Sequence, residues 1–196
     1  QANLALFSAL PGRQDTIITD EQVHRSAYDG CRLSFAKKLK FRHNDTDHLE
    51  QLLKKESGNC LIAIESLYSM EGDLAPLAQI AALAEYYGAG LIVDEAHAFG
   101  IFGYGLIDRY GLQDKVTAAV VTYGKALGMH GAAVLSSNLV RNYLINFAAP
   151  LIYTTSSPDV QWLGIKSGYE FLSKHQPVQQ ALQNNIRIFR QQGIVT

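Results

Sequence analysis

The sequence predicts an α/β fold in which a mostly parallel sheet is flanked by helices. From residue 16 onward, short apolar runs alternate with amphipathic segments, which is the pattern of successive βα units. The 196 residues are 47% hydrophobic and 18% charged, as expected of a globular domain with one large core. In such sheets ligands bind at the carboxyl ends of the strands. The polar residues that follow each apolar run are therefore the first candidates for a site.

Each predicted element rests on a local pattern. The strands are expected at the apolar runs 16–19, 60–65, 91–94, 118–123 and 132–135. The helices are expected at 45–56, 77–87, 139–147 and 177–192. Asn44 or Asp45 should cap the first of these helices. A further helix with Trp162 and Tyr169 should begin at residues 157–159, where a serine cap precedes a first-turn proline and a first-turn acid.

Charge and composition argue against several classes of protein. With a formal net charge of −1, Lys and Arg are scattered and form neither a basic stripe for nucleic acid nor a polybasic membrane anchor. The longest apolar stretches, such as residues 81–84 and 118–121, are far shorter than the roughly 20 residues that span a bilayer. No signal peptide opens the sequence. We therefore expect a cytoplasmic protein in which Cys31 and Cys60 are reduced core thiols.

Residues 94–97 (Asp-Glu-Ala-His) place a carboxylate at a predicted strand end and an imidazole three positions later. Taken alone, this tetrapeptide is most simply a turn cap followed by a surface histidine. No GxxxxGK[ST] loop precedes it, and no GxGxxG turn follows the first strand. Neither a nucleotide hydrolase nor a dinucleotide-binding domain is indicated. No metal is expected either, because the other histidines form no ligand-spaced cluster.

Lys125 stands between glycines at the end of the run 118–121, within residues 122–128 (Thr-Tyr-Gly-Lys-Ala-Leu-Gly). Most lysines are solvated surface charges. A lysine among apolar and glycine residues loses its proton more easily, however, as Schiff-base chemistry with an aldehyde requires. An acid in the same crevice, such as Asp94, could keep a pyridine nitrogen protonated and make its ring an electron sink.

Several motifs occur in one order along the chain: residues 20–30, 43–45, 65–77 (Glu-Ser-Leu-Tyr-Ser-Met-Glu-Gly-Asp-Leu-Ala-Pro-Leu), 94–97, 122–125 and 153–155. Together they resemble the α-oxoamine synthases, which are fold-type-I enzymes that use pyridoxal 5'-phosphate (PLP). The resemblance implies the large domain of an aspartate aminotransferase-like PLP-dependent transferase. We expect that domain to span residues 1–176, with its amino-terminal edge truncated. Residues 177–196 should form a helix that leads toward a carboxyl-terminal domain.

The resemblance also implies a role for each site residue. Lys125 would carry the cofactor covalently and move the Cα proton of an amino-acid substrate. Asp94 would pair with the pyridinium nitrogen, and Thr122 would bind the phosphate. Ser69 and His97 would hydrogen-bond the phenolic oxygen of the cofactor ring. Without the resemblance, Ser69 is an ordinary turn residue and Thr122 an ordinary strand residue.

Three further residues receive roles from the resemblance. His24 would stack on the ring and assist catalysis, although a helix-surface histidine is the simpler interpretation. Thr154 and Thr155 would reach the phosphate of the partner subunit's cofactor, which implies a homodimer. Threonine pairs are also common where strands end.

Members of this family condense a small amino acid with an acyl thioester and release carbon dioxide. Residues 128–135 and 141–147 most resemble the members that join L-alanine to a pimeloyl thioester, carried by coenzyme A or a carrier protein, in biotin synthesis. Members that use glycine or serine, such as glycine C-acetyltransferase and serine palmitoyltransferase, remain the alternative. A non-catalytic partner subunit of the same fold is a third possibility, which the presence of Lys125 disfavours.

The sequence also departs from the family pattern. Family members usually have a further pair of glycines later in the stretch that corresponds to residues 100–106. This sequence lacks that pair, so the family pattern does not predict the conformation of the loop. The family has a phosphate-cradling helix terminus at the position of residues 1–3 and a substrate-binding arginine in its carboxyl-terminal domain. We therefore expect the 196 residues alone to be catalytically inactive.

Overall fold

The computed structural model describes residues 1–192, except for the side chain of Gln176. Its centre is a six-stranded sheet in the order β2-β1-β3-β4-β5-β6. Strands β1 to β5 are parallel, and β6 pairs with β5 in the antiparallel direction. The strands are β1 (Thr16–Asp20), β2 (Lys37–Phe41), β3 (Cys60–Glu65), β4 (Gly90–Asp94), β5 (Ala118–Thr122) and β6 (Ala132–Ser136).

Helices cover both faces of the sheet. In chain order they are α1 (Ala2–Ala9), α2 (Arg25–Leu33), α3 (Thr46–Leu53), α4 (Leu77–Tyr86), α5 (Leu106–Arg109), α6 (Asn138–Phe147), α7 (Ala149–Ile152), α8 (Asp159–Lys174) and α9 (Gln176–Gln191), with a short 3₁₀ helix at Gln113–Lys115. None of the described helices combines the length and apolar character needed to cross a bilayer.

Alternation along the strands creates two separate cores. Ile18 faces a core built with α3, α4 and α5, whereas its neighbour Ile17 faces a core built with α1, α2 and α6. This alternation follows from the two-residue period of a strand. A third cluster joins Phe99 and Tyr123, which follow β4 and β5, to Ile165 of α8. Because helices cover both faces of the sheet, a ligand site is expected in the loops at the carboxyl ends of the strands.

The predicted α/β architecture is confirmed, but β2 was not predicted. Its residues, Lys37–Phe41, are largely exposed at the edge of the sheet. Three of the five are lysines, so the segment lacks the apolar pattern of a strand. Pairing with β1 makes them a strand. The sequence patterns also gave no signal for α1, α2, α5 and α7. The predicted strand at 118–123 ends one residue earlier, at Thr122.

Two cap predictions have different outcomes. Asp45 caps α3, and its side chain accepts a hydrogen bond from the backbone N–H of His48. The prediction that Ser157 caps α8 is wrong, because Pro158 occupies the cap position without a side-chain bond. The predicted helix at 177–192 is α9, and residues 193–196 of the predicted carboxyl-terminal segment lie outside the described residues.

The two cysteines differ in their environment. Both carry free thiols. Cys31 is buried in the core beside α1, and burial raises the pKa of its thiol to about 11. Cys60 is only half-buried at the start of β3, so its prediction as a core thiol is half correct.

Candidate active site

Asp94 is a buried carboxylate at the carboxyl end of β4. Its Oδ2 accepts a hydrogen bond of 2.7 Å from Nδ2 of Asn3, and its Oδ1 accepts one of 2.9 Å from the backbone N–H of Ala96. Within residues 1–192 it forms no ion pair with Lys, Arg or His. Burying a charge without a partner is costly, so this position favours a cation on the ligand.

Hydrogen bonds connect Asp94 to His24. Nδ2 of Asn3 also donates to Oγ of Ser26 at 3.0 Å, and that Oγ lies 2.8 Å from Nδ1 of His24. Because Oγ of Ser26 accepts from Asn3, its own proton is available to Nδ1 of His24. His24 is the N-cap of α2, and its Nδ1 also accepts a bond of 3.2 Å from the backbone N–H of Ser26. The ring orientation of His24 is thereby coupled to Asp94.

Glu65 ends β3 and lies in register with Asp94 on β4. The side chain is only 3% exposed. Burial, and then the charge of Asp94, raise the pKa of Glu65 to about 7. Near neutral pH this site therefore contains one carboxyl group that is partly protonated.

Lys125 and His97 come from the turns that follow β5 and β4. Lys125 is exposed, so the apolar surroundings predicted for it are not found in the described residues, whereas His97 is half-buried. Burial lowers the pKa of His97, the charge of Lys125 lowers it further, and Asp94 opposes the shift. His24 also acts on His97. The structure thus brings four of the predicted site residues within electrostatic reach of one another.

Thr122 is the last residue of β5. Its Oγ1 is buried, and it has no hydrogen-bond partner among the residues that the structure describes. Leaving a buried hydroxyl unpaired costs about 1–3 kcal/mol. A ligand oxygen at this point would remove that cost.

No described hydrogen bond joins the remaining predicted site residues to this cluster. Ser69 is exposed in the turn between β3 and α4. Thr154 and Thr155 are exposed after α7, so they follow a helix and not a strand. Oγ1 of Thr154 lies 3.4 Å from Oε1 of Gln1, at the amino end of α1. No described contact brings the two threonines to Lys125 of the same chain.

The glycine-rich loop 100–105 packs closely against neighbouring elements. Gly100 (φ +83°) lies so near Ala126 that a Cβ there would overlap the alanine methyl group. A Cβ at Gly105 (φ +115°) would overlap the buried carboxylate of Glu95. Only glycine combines these positive φ values with such close approach. The loop therefore has a defined conformation without the later glycine pair.

Two cavities open at this edge of the sheet. A small one of about 10 Å³ is bounded by Asn3, His24, Glu65 and Asp94. A larger one of about 500 Å³ lies between the turn at Lys125 and helices α8 and α9. Its volume falls in the range of small-molecule sites. In residues 1–192, no three His, Cys, Asp or Glu side chains are grouped to hold a metal ion.

Sequence reasoning assigned no role to three residues of this site: Asn3, Ser26 and Glu65. Glu65 could have been found by the argument that singled out Asp94, because it also ends an apolar run. Asn3 could not, since it lies 91 positions from the carboxylate that it orients.

Comparison with known proteins defines the relatives of this chain. The model of the family "Aminotransferase class I and II" matches residues 1–192. The 8-amino-7-oxononanoate synthase of Emericella nidulans is 41% identical over 209 residues, covering 96% of this chain and 51% of the relative. A putative 8-amino-7-oxononanoate synthase of Halalkalibacterium halodurans is 45% identical over 161 residues, covering 80% and 41% respectively. The chain thus spans about half the length of the curated relatives that it matches, or less.

Solved structures give the same picture. A serine palmitoyltransferase from S. paucimobilis has a TM-score of 0.89 and 32% identity, covering 94% of this chain and 48% of that chain. The 8-amino-7-oxononanoate synthase of Francisella tularensis has a TM-score of 0.84 and 33% identity, covering 97% and 56%. Both kinds of enzyme are α-oxoamine synthases, so the resemblance found in the sequence is confirmed. The chain therefore belongs to the aminotransferase class I and II family, with the α-oxoamine synthases as its relatives.

Proposed function

We propose that the full-length protein is a PLP-dependent acyltransferase that condenses L-alanine with a pimeloyl thioester. The products would be 8-amino-7-oxononanoate, carbon dioxide and the free thiol of the carrier. The observation that carries this proposal is the buried carboxylate of Asp94, which has no cationic partner within residues 1–192 and lies at the same sheet edge as Lys125. The relatives named 8-amino-7-oxononanoate synthase, at 41% and 45% identity, support the choice of reaction.

The residues present fit PLP. Asp94 lacks a cationic partner in the described chain, and a pyridinium N–H would supply one. The buried Oγ1 of Thr122 lacks a hydrogen-bond partner among residues 1–192, and a phosphate oxygen would accept its proton. The amino group of Lys125 is exposed and free to react with an aldehyde. The pyridinium N–H, the phosphate oxygen and the aldehyde are three different groups of one cofactor.

When bound, PLP supplies an electron sink for the bond changes at the Cα atom of the amino acid. The chain supplies placement and proton transfer. Nζ of Lys125 holds the cofactor and then moves the proton at Cα. Asp94 keeps the ring nitrogen protonated, which a negative charge in a buried site favours.

His97, Ser69 and His24 complete the proposed set. His97 and Ser69 hydrogen-bond the phenolic oxygen of the cofactor. The lowered pKa of His97 keeps its ring neutral near pH 7, so one ring nitrogen donates while the other accepts. His24, whose orientation Ser26 and Asn3 support, would contact the cofactor ring.

The proposal includes the assembly and its location. Thr154 and Thr155 bind the phosphate of the cofactor in the partner subunit of a cytoplasmic homodimer. Their exposure after α7, without a described hydrogen bond to Lys125 of their own chain, supports this assignment. Residues 1–176 form the PLP-binding domain, and residues 177–196 lead toward a further domain.

A second candidate reaction is condensation of serine with a palmitoyl thioester. It is favoured by the structural match to serine palmitoyltransferase, whose TM-score of 0.89 exceeds the 0.84 of the 8-amino-7-oxononanoate synthase. Residues 128–135 favour alanine instead, as judged by their resemblance.

Carbon dioxide release by the full-length protein distinguishes the candidates. Alanine, glycine and serine are each paired with pimeloyl, acetyl and palmitoyl thioesters. We expect the highest kcat/KM for alanine with the pimeloyl thioester. A preference for serine with the palmitoyl thioester would select the second candidate, and no turnover with any pair would leave the non-catalytic subunit.

A further inference from the structure

His43 connects two carboxylates, one buried at the end of a strand and one half-buried in a loop. Its Nδ1 lies 3.0 Å from Oδ1 of Asp20, at the end of β1. Its Nε2 lies 2.9 Å from Oδ2 of Asp73, in the loop between β3 and α4. The imidazole is 17% exposed, and Asp20 is fully buried. A neutral imidazole has one N–H donor, so the doubly protonated ring is the form that donates to both carboxylates. Nδ2 of Asn44 also lies 3.2 Å from Nε2 and would donate to it in the neutral ring.

The surrounding groups reinforce this bridge. The backbone N–H of Asn44 donates to Oδ2 of Asp20 at 2.9 Å, and its side-chain Nδ2 donates to Oδ2 of Asp73 at 2.6 Å. Asn44 has φ +55°, a left-handed conformation that asparagine tolerates better than most residues. The backbone N–H of His43 donates to Oε1 of Glu21 at 3.0 Å. The charged groups that face the ring are therefore Asp20 and Asp73, with Glu21 at its backbone.

The bridge holds both sides of one turn. The ring of Tyr68 meets the ring of His43 edge-on, with 4.4 Å between the centroids, and Tyr68 is buried. Its backbone N–H donates to the carbonyl of Asp73 at 3.0 Å. Ser69 lies between these two anchor points, followed by Gly72 at φ +68°. The position of Ser69 therefore depends on contacts made by its neighbours and not by its own side chain.

We propose that His43, bound between Asp20 and Asp73, is a positioning residue that holds the turn at residues 68–73 so that Ser69 faces the cofactor. The link to the cofactor rests on the proposed function of Ser69. The bridge itself rests only on the contacts of His43. A bound metal is not the alternative, because no group of metal ligands occurs among the described residues.

The bridge has a predicted dependence on pH. Burial disfavours the charged ring, but the hydrogen bonds with Asp20 and then Asp73 outweigh it, so the pKa of His43 is raised above its usual value of 6.5. A raised pKa means that the stabilisation is complete below pH 6.5 and is lost as the pH rises through the pKa in the folded protein.

Hydrogen exchange on the full-length holoenzyme tests the bridge directly. His43→Gln should lower the protection of the Tyr68 and Gly72 amides about tenfold or more, as expected when a hydrogen bond to a charged group is lost. In the unchanged protein, protection corrected for intrinsic exchange should fall as the pH rises above 6.5. The matched control is His48→Gln, because His48 accepts a bond from the backbone of Arg42 and contacts neither carboxylate. Equal, pH-independent protection in the unchanged protein and His43→Gln would overturn the bridge.

PLP binding tests the link to Ser69. Dissociation constants are measured for Ser69→Ala, His43→Gln and the double variant of the full-length protein. We expect both single changes to weaken binding and the double variant to lose less than the product of the two losses, because the residues act in one unit. Losses that multiply would show that His43 does not act through Ser69. Unchanged affinity in Ser69→Ala would refute the cofactor role of Ser69, while exchange would still decide whether the bridge holds the turn.

Discussion

The carboxyl edge of the sheet has two sides that differ in how their polar groups are paired. At the ends of β1 and β2, Asp20 accepts bonds from the Gln22 and Asn44 backbone and from His43. At the ends of β4 and β5, Asp94 has no cationic partner and Oγ1 of Thr122 no hydrogen-bond partner within residues 1–192, and Lys125 is exposed. We therefore expect the first side to support structure and the second side to bind a ligand.

This difference predicts which residues hold the structure and which residues react. A buried carboxylate without a cationic partner and an exposed lysine at one sheet edge are groups that a ligand with a cation and an aldehyde would complete. On that criterion, the largest effects on activity should come from the β4 and β5 side. Changes that act through packing should affect stability first.

Replacement of Lys125 by Ala should have the largest effect. We expect kcat to fall by about 10³-fold or more, since proton transfer by a positioned side chain alone contributes roughly 10²–10⁴-fold. Borohydride reduction of the unchanged full-length protein, followed by peptide mapping, should locate the pyridoxyl group on Lys125. The control is Lys166→Ala, because Lys166 is an exposed residue of α8. A pyridoxyl group on any other lysine would refute the assignment.

Asp94→Asn should leave the fold intact and lower kcat by about 10²- to 10³-fold, the range seen when one preorganised electrostatic group is removed. The amide has nearly the same shape but no charge to keep the pyridine nitrogen protonated. Turnover and thermal unfolding are measured together, with the exposed Asp108→Asn as the matched control. Unchanged turnover would mean that Asp94 serves only to cap the next turn.

Gly105→Ala tests whether the loop beside the active site depends on close packing. The new Cβ would overlap the Glu95 carboxylate at a φ of +115°, so we expect a loss of unfolding free energy larger than the roughly 1–3 kcal/mol of backbone strain alone. Gly103→Ala is the matched control, since it has φ +71° but open space around the new methyl group. Denaturant unfolding of both variants should rank Gly105→Ala as the more damaging. Equal losses would leave backbone strain as the whole effect.

Glu65→Gln should have the smallest effect, which is a change in the stability of the fold that depends on pH. The pKa of Glu65 is raised to about 7, so the folded protein loses stability as the pH rises from about 4.5, the usual value, through 7. The amide cannot ionise and avoids that loss. The difference in denaturation midpoint between variant and unchanged protein should therefore shift in favour of the variant between pH 5 and pH 8. A difference that stays constant over this range would contradict the raised pKa.

The sequence predicted where three candidate site residues stand in the fold, because that depends on local position. Asp94, Thr122 and Lys125 each stand at or just after the end of an apolar run, and parallel strands bring such ends to one edge. It failed where a residue's structure depends on a distant partner. The charged segment Lys37–Phe41 becomes a strand only through its pairing with β1, and Pro158 takes the cap position that the pattern gave to Ser157.

By itself, the sequence determined the α/β alternation, the identities of the groups at the strand ends and the family pattern. Those properties follow from local periodicity and from the order of short motifs, which are independent of three-dimensional contacts. Only the tertiary structure joined Asn3 to Asp94 and placed His43 between Asp20 and Asp73. Hydrogen bonds of this kind depend on distances of about 3 Å between atoms far apart in the chain, and such distances exist only once the core has packed.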